Sequence, residues 1–151
     1  MTTSTLPEID NLSLLVTQEI RVNAPIEVTF ESLLEQLVDN EMSDGTKMPM
    51  KLEAVPGGRW YRDLGNNNGH LWAHVQAIKR PTLLEFAGPL MMSYPVANNV
   101  QYRLSEEAGV TIIKFRHSAF GLIQDDHRRG VTGGWSYINE RVRLRAENAT
   151  R

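Results

Sequence analysis

Cysteine is absent from the 151 residues, which removes thiol catalysis, thiolate metal sites and a disulfide framework together. No basic tract stands out in a chain with 16 Lys+Arg against 18 Asp+Glu, so the electrostatic footprint of a nucleic-acid binder is missing. No run approaches the ~20 apolar residues that span a bilayer. The opening MTTSTLPEID carries neither the basic segment nor the apolar core of a secretory leader. These absences set the expectation of a cytoplasmic protein without a membrane span or a nucleic-acid partner. What remains suffices for one core, since a domain of this size buries roughly 70% of its unfolded surface.

Residues 1–14 are small and polar without a period and are expected to form a flexible lead-in, followed by a single domain over 15–151. Leu15 to Val22 favours a strand in which Val16, Ile20 and Val22 share a face that Gln18 interrupts. Pro25 suits the first turn of a helix and Glu27 its positive end. Ile26, Phe30, Leu33, Leu34 and Leu37 then make one apolar stripe. Residues 39–50 have turn-forming residues and no period, and predict a loop with room for one helical turn.

Short alternating runs follow at 50–55, 59–64, 70–79, 83–86, 100–104 and 110–117. They are separated by Pro56-Gly57-Gly58, Asn67-Asn68-Gly69, Arg80-Pro81, Gly88-Pro89 and Glu106-Glu107-Ala108-Gly109. The pattern predicts about six antiparallel strands, with Asn68-Gly69 at the positive-φ corner of a hairpin. Val131, Trp135, Ile138 and Val142 recur at helical spacing, and Arg141, Arg143 and Arg145 cluster toward the end where cations are favoured. Strand, helix, antiparallel strands and a long final helix give an α+β layer architecture.

Several local motifs, in this order, resemble a known family. Val22-Asn23-Ala24-Pro25-Ile26-Glu27-Val28-Thr29-Phe30 is similar to the strand-end and helix-start motif of the START-like (SRPBCC) superfamily. Pro56-Gly57-Gly58-Arg59-Trp60, Val75 with Ile78 and Pro81, Leu84-Glu85-Phe86, Thr111 to His117 and Gly134-Trp135 follow the order of its branch named after the activator of the heat-shock protein 90 ATPase. The resemblance covers roughly residues 16 to 148. It implies the helix-grip fold, an α+β arrangement of about six or seven curved antiparallel strands wrapped around a long C-terminal helix, with a cavity between them. Members of the superfamily bind apolar or aromatic molecules, and some are cyclases or hydrolases. Asp39-Asn40-Glu41-Met42-Ser43-Asp44 replaces the aromatic-rich turn frequent after the first helix of that branch, so the resemblance does not set the ligand's size.

Gly130, Gly133 and Gly134 fall where the final helix should begin. Inside a helix each costs ~1 kcal/mol relative to alanine, which either open space or close approach would require; alternatively the helix starts near Thr132. Alternation sets Thr111, Ile113, Phe115 and His117 on one face, and Val100, Tyr102 and Leu104 on one face of the neighbouring strand. The resemblance turns both faces inward. The expected ligand-binding set is Trp60, Tyr102, Ile113, Phe115, His117, Gly134, Trp135 and Ile138, with His117 the candidate acid or base.

His70 and His74 would lie ~13 Å apart on a strand, too far to share an ion. Asp125, Asp126 and His127 point in different directions, so no metal and no cofactor are expected. No phosphate-cradling loop or nucleophile elbow is present. Met91, Met92 and Tyr94, between Pro89 and Pro95, form either a lid or a packing segment. The expected function is binding of an apolar or aromatic small molecule, with a cyclase- or hydrolase-type enzyme or a chaperone-associated interaction protein as alternatives. A homodimer and a protein partner stay open.

Overall fold

The computed structural model describes residues 8–150. The chain first makes one helical turn, α1 (Ile9–Leu12), and enters strand β1 (Ser13–Val22). The lead-in expected over 1–14 is therefore structured from Ile9 onward, while 1–7 lie outside the described residues. α2 (Ile26–Val38) follows Pro25 and buries Phe30, Leu33 and Leu37, the stripe that its spacing predicts. Residues 39–50 form no helical turn; an isolated antiparallel bridge joins Glu41 to Lys47.

The remaining strands are β2 (Lys51–Leu52), β3 (Arg59–Gly65), β4 (Asn68–Lys79), β5 (Leu83–Gly88), β6 (Val96–Glu107) and β7 (Val110–Gly121). With β1 they form one seven-stranded sheet in the order β1-β7-β6-β5-β4-β3-β2, antiparallel throughout. The run expected at 50–55 keeps only two residues in its strand, because Gly58 presses against it. A Cβ there would stand 1.8 Å from the Glu53 carbonyl oxygen, so the Pro-Gly-Gly segment admits no side chain at that position.

The first hairpin turns at Asn66-Asn67, with φ of 55° and 61°, not at Asn68-Gly69. Gly69 instead pairs with Asp63 inside the ladder, where a Cβ would meet the Arg62 carbonyl oxygen at 2.1 Å. Asparagine tolerates the left-handed region well enough to take both corner positions. The second hairpin turns at Ala108-Gly109 as predicted, both with positive φ.

The C-terminal helix α3 runs from Asp125 to Ala149 and packs on α2 and β1. It starts seven residues before Thr132, so Gly130, Gly133 and Gly134 are helical. This is the helix-grip fold, a curved sheet gripping a long C-terminal helix with a helix after the first strand. No helix among the described residues is long and apolar enough to cross a membrane.

The core lies between the concave face of the sheet and the two helices. Ile113, Phe115 and His117 of β7, and Val100, Tyr102 and Leu104 of β6, are all buried there, as alternation requires. Trp60 is fully buried, stacks on Phe86 at 4.9 Å and meets Trp72 edge-on at 5.1 Å. Its indole N–H donates to the Leu37 carbonyl at 2.9 Å, satisfying a free carbonyl at the end of α2.

Candidate functional site

A cavity of about 310 Å³ opens beside the N-terminal half of α3. The helix contributes Gly130, Val131, Gly134, Trp135 and Ile138 to its wall, with Asp126, His127 and Tyr137 at the margins. The loop after α2 brings Glu41, Met42 and Ser43, and the loop between β5 and β6 brings Met91 and Met92. Most of this wall is apolar, the composition of a small-molecule site, and its volume lies at the lower end of the range for such sites.

Helical spacing explains which residues of α3 participate. Positions 127, 130, 131, 134, 135 and 138 recur at three- and four-residue steps and so share one face. A Cβ at Gly130 or Gly134 would meet no atom of the described residues within 4 Å. Close approach to another backbone therefore does not account for these glycines, whereas empty space beside the helix does. Met92 is buried and Met91 is 40% exposed, which makes the first a wall and the second a rim.

Behind this cavity the interface is filled. Trp135 lies 4.8 Å from Phe115, which in turn lies 4.9 Å from Tyr102, ring centre to ring centre. Gly134, Trp135 and Ile138 of the expected ligand-binding set line the cavity. Tyr102, Ile113, Phe115 and His117 lie deeper, and Trp60 packs under α2. The eight residues thus do not share one wall, because the Trp135 indole stands between the cavity and the sheet.

His117 is fully buried and both its nitrogens are engaged. The Trp135 indole N–H donates to Nδ1 at 2.9 Å, which leaves the ring proton on Nε2 to be donated to Asn98 Oδ1 at 2.7 Å. The Asn98 amide then donates to the Pro89 carbonyl at 3.2 Å. Burial pushes the imidazole down to about 4, since a protonated ring would lose its solvation and put a second donor against the indole. The histidine holds α3, β7, β6 and the 89–95 loop together; it has no nitrogen free for a ligand.

A second chain of bonds runs along the helix. The Tyr102 hydroxyl donates to Asn139 Oδ1 at 2.8 Å, and the Asn139 amide donates to Gln18 Oε1 at 2.9 Å. Gln18 in turn donates to Ser136 Oγ at 2.9 Å. Gln18, the polar interruption of the first strand's apolar face, thereby ties β1 to α3. Burial also raises the Tyr102 phenol above its ordinary value.

At the far margin of the cavity Glu41 accepts bonds from Lys47 Nζ and the Tyr137 hydroxyl, each at 2.6 Å. Arg141 approaches at 3.3 Å. The bonds from Lys47 and Tyr137, with the Arg141 charge, hold the Glu41 carboxyl at about 2. At the opposite margin the Tyr94 hydroxyl lies 2.6 Å from His127 Nδ1, the two rings stacked. Sequence reasoning omitted Glu41, Met42, Ser43, His127 and Tyr137 from the ligand-binding set. Tyr137 had a readable signal, lying four residues before Arg141 on the helix, but the loop residues had none.

The sequence matches no family model and no curated protein. Among solved structures, the conserved protein of unknown function EF2215 from Enterococcus faecalis aligns at a TM-score of 0.67. It shares 15% identity, covering 93% of this chain and 75% of its own. CalU16 from Micromonospora echinospora aligns at 0.60 with 18% identity, covering 87% of this chain and 72% of its own. StfQ, the di-domain ARO/CYC of the steffimycin biosynthetic pathway, aligns at 0.66 with 10% identity; 94% of this chain corresponds to 53% of StfQ. The likeness establishes the helix-grip fold; the heat-shock activator branch stays with the sequence motifs alone.

Proposed function

We propose that this protein binds an apolar or aromatic small molecule in the cavity between α3, the 41–43 turn and the Met91-Met92 loop. The observation that carries the reading is a largely apolar wall kept open by Gly130 and Gly134. A helix accepts two glycines on one face at ~1 kcal/mol each, and here no contact is gained in return. Three methionines, Met42, Met91 and Met92, supply a pliable, polarisable surface suited to a flat apolar ligand. StfQ, a di-domain ARO/CYC of a biosynthetic pathway, shares the fold, which supports a small-molecule ligand.

The test uses naphthalene and 2-naphthol as probes, followed by thermal shift and titration calorimetry. The unsubstituted protein should be stabilised as probe concentration rises, because binding to the folded state alone raises its stability. The double variant Gly130→Leu with Gly134→Leu should remain folded, having gained helix propensity, and should lose the shift. Equal shifts in both proteins, or none in either, would overturn the reading.

A cyclase- or hydrolase-type activity would share this cavity but would have to use groups other than His117. The chaperone-associated role implied by the activator branch rests on the sequence motifs; the cavity supports ligand binding.

A further inference from the structure

Four titratable side chains stand on the cavity wall: Glu41, Asp126, His127 and Tyr137. Three are spent on partners inside the protein. Glu41 and Tyr137 bond to each other, with Lys47 and Arg141 completing the carboxylate's neighbours. Asp126 pairs with Arg129 one turn on. His127 differs: its Nδ1 is bound to the Tyr94 hydroxyl at 2.6 Å, and its Nε2 has no hydrogen-bond partner among the described residues.

The rings of Tyr94 and His127 stack with centres 5.5 Å apart and planes 28° apart, both side chains half-buried. Stacking and the hydroxyl bond together restrict the imidazole's rotation, so the opposite nitrogen is presented in a defined direction. This is the logic by which one partner on Nδ1 orients a histidine for work at Nε2. From His127 to Tyr137 the helix rises ~15 Å at 1.5 Å per residue, so the cavity is long, with one engaged polar end and one available polar end.

Resting on the ligand-binding reading above, we propose that His127, oriented by Tyr94, is the polar anchor of the cavity. It binds the hydroxyl of a neutral hydroxylated aromatic compound through Nε2. The neutral imidazole exists in two tautomers, and the Tyr94 hydroxyl can either donate to Nδ1 or accept from it. Nε2 is then a donor in one case and an acceptor in the other. A hydroxyl both donates and accepts, and so fits both states; an ether or an unsubstituted ring does not. The two carboxylates of the wall are paired with cations, Glu41 with Lys47 and Arg141 and Asp126 with Arg129, and the uncharged Tyr137 phenol donates to Glu41, which suits an uncharged ligand. Tyr94 is a positioning residue.

Paired titrations with 2-naphthol and naphthalene isolate the hydroxyl on a common skeleton. The unsubstituted protein should bind 2-naphthol about tenfold more tightly, the ratio worth one net hydrogen bond. His127→Phe should reduce that ratio to about one while leaving naphthalene affinity unchanged, and His127→Gln, which keeps a terminal amide, should retain part of it. Tyr94→Phe should lower the ratio severalfold with naphthalene affinity unchanged, whereas a purely structural role would weaken both probes together. Equal affinities in the unsubstituted protein, or a ratio retained in both His127 variants, would overturn the anchor and leave the cavity reading standing. Failure of both probes to bind would overturn the cavity reading and the anchor with it.

Discussion

The two halves of α3 meet the same sheet in opposite ways. From Asn139 onward the helix turns Asn139, Val142 and Ala146 inward, each no more than 1% exposed, and its outer face is tied down by ions. Arg145 reaches Asp39 and Gln36, and Glu147 accepts the Asn23 backbone N–H at 3.0 Å. Before Trp135 the helix carries two cavity-lining glycines, Gly130 and Gly134, with open space beside them. One half is a packed seam and the other a partly vacant wall, and Trp135 marks the boundary. The difference teaches that the fold needs only part of this helix for its core, which frees the remainder to face a ligand.

The sharpest way to break that comparison is to cut into the packed side. Phe115→Ala removes the ring between Tyr102 and Trp135 and should cost about 3–5 kcal/mol of unfolding free energy, read from urea denaturation. A loss below about 1 kcal/mol would mean that the interface behind Trp135 collapses freely and is not a tight seam.

Acidification probes the boundary itself. His117 titrates at about 4 in the folded protein and near 6.5 unfolded, so between these values the unfolded chain binds the proton and the native one does not. Its contribution is fully present above the unfolded value and is lost as pH falls through that window, on the order of 3 kcal/mol in all. Urea midpoints at pH 7.5 and 5 should therefore differ more for the unsubstituted protein than for His117→Gln. Glu41, lowered to about 2 by Lys47 and Tyr137, acts in a separate, more acidic window, below the ordinary glutamate value. A matching slope in the His117→Gln variant would assign the acid sensitivity to other groups.

Tyr102→Phe leaves Asn139 Oδ1 without its buried donor and should cost about 1–2 kcal/mol by the same denaturation measurement. The smallest effect has the opposite sign. Gly134→Ala adds a methyl group that meets no atom within 4 Å, and should stabilise the protein by up to about 1 kcal/mol in thermal unfolding. If it destabilised instead, the space beside the helix would be needed for packing rather than left for a ligand.

Much of the fold was readable because burial imposes a period. The face of β7 through Ile113, Phe115 and His117 and the stripe of α2 through Phe30, Leu33 and Leu37 follow directly from alternation and helical spacing. The hairpin at Ala108-Gly109 was equally plain, while the first was displaced because three consecutive asparagines offered several corners. The beginning of α3 was not resolved by propensity, since glycines at 130, 133 and 134 score alike as loop and as helix facing a void. Of the expected ligand-binding residues, those on α3 line the cavity and those on the sheet do not. Alternation reports which way a side chain points, and says nothing of what stands in front of it.

The sequence by itself determined the order of elements, the inward faces and the amphipathic helices, all of which follow from local chemistry repeated at a fixed period. Tertiary structure decided where the core ends and the cavity begins. That line depends on how far one indole, Trp135, reaches across to Phe115 and His117, and on where two aperiodic loops bring Glu41, Met42, Met91 and Met92. It also decided that His117 is consumed by its neighbours while His127 keeps a nitrogen without a partner among the described residues. Hydrogen-bond partners distant in sequence are set by the closure of the sheet around the helix, and no local pattern encodes that distance.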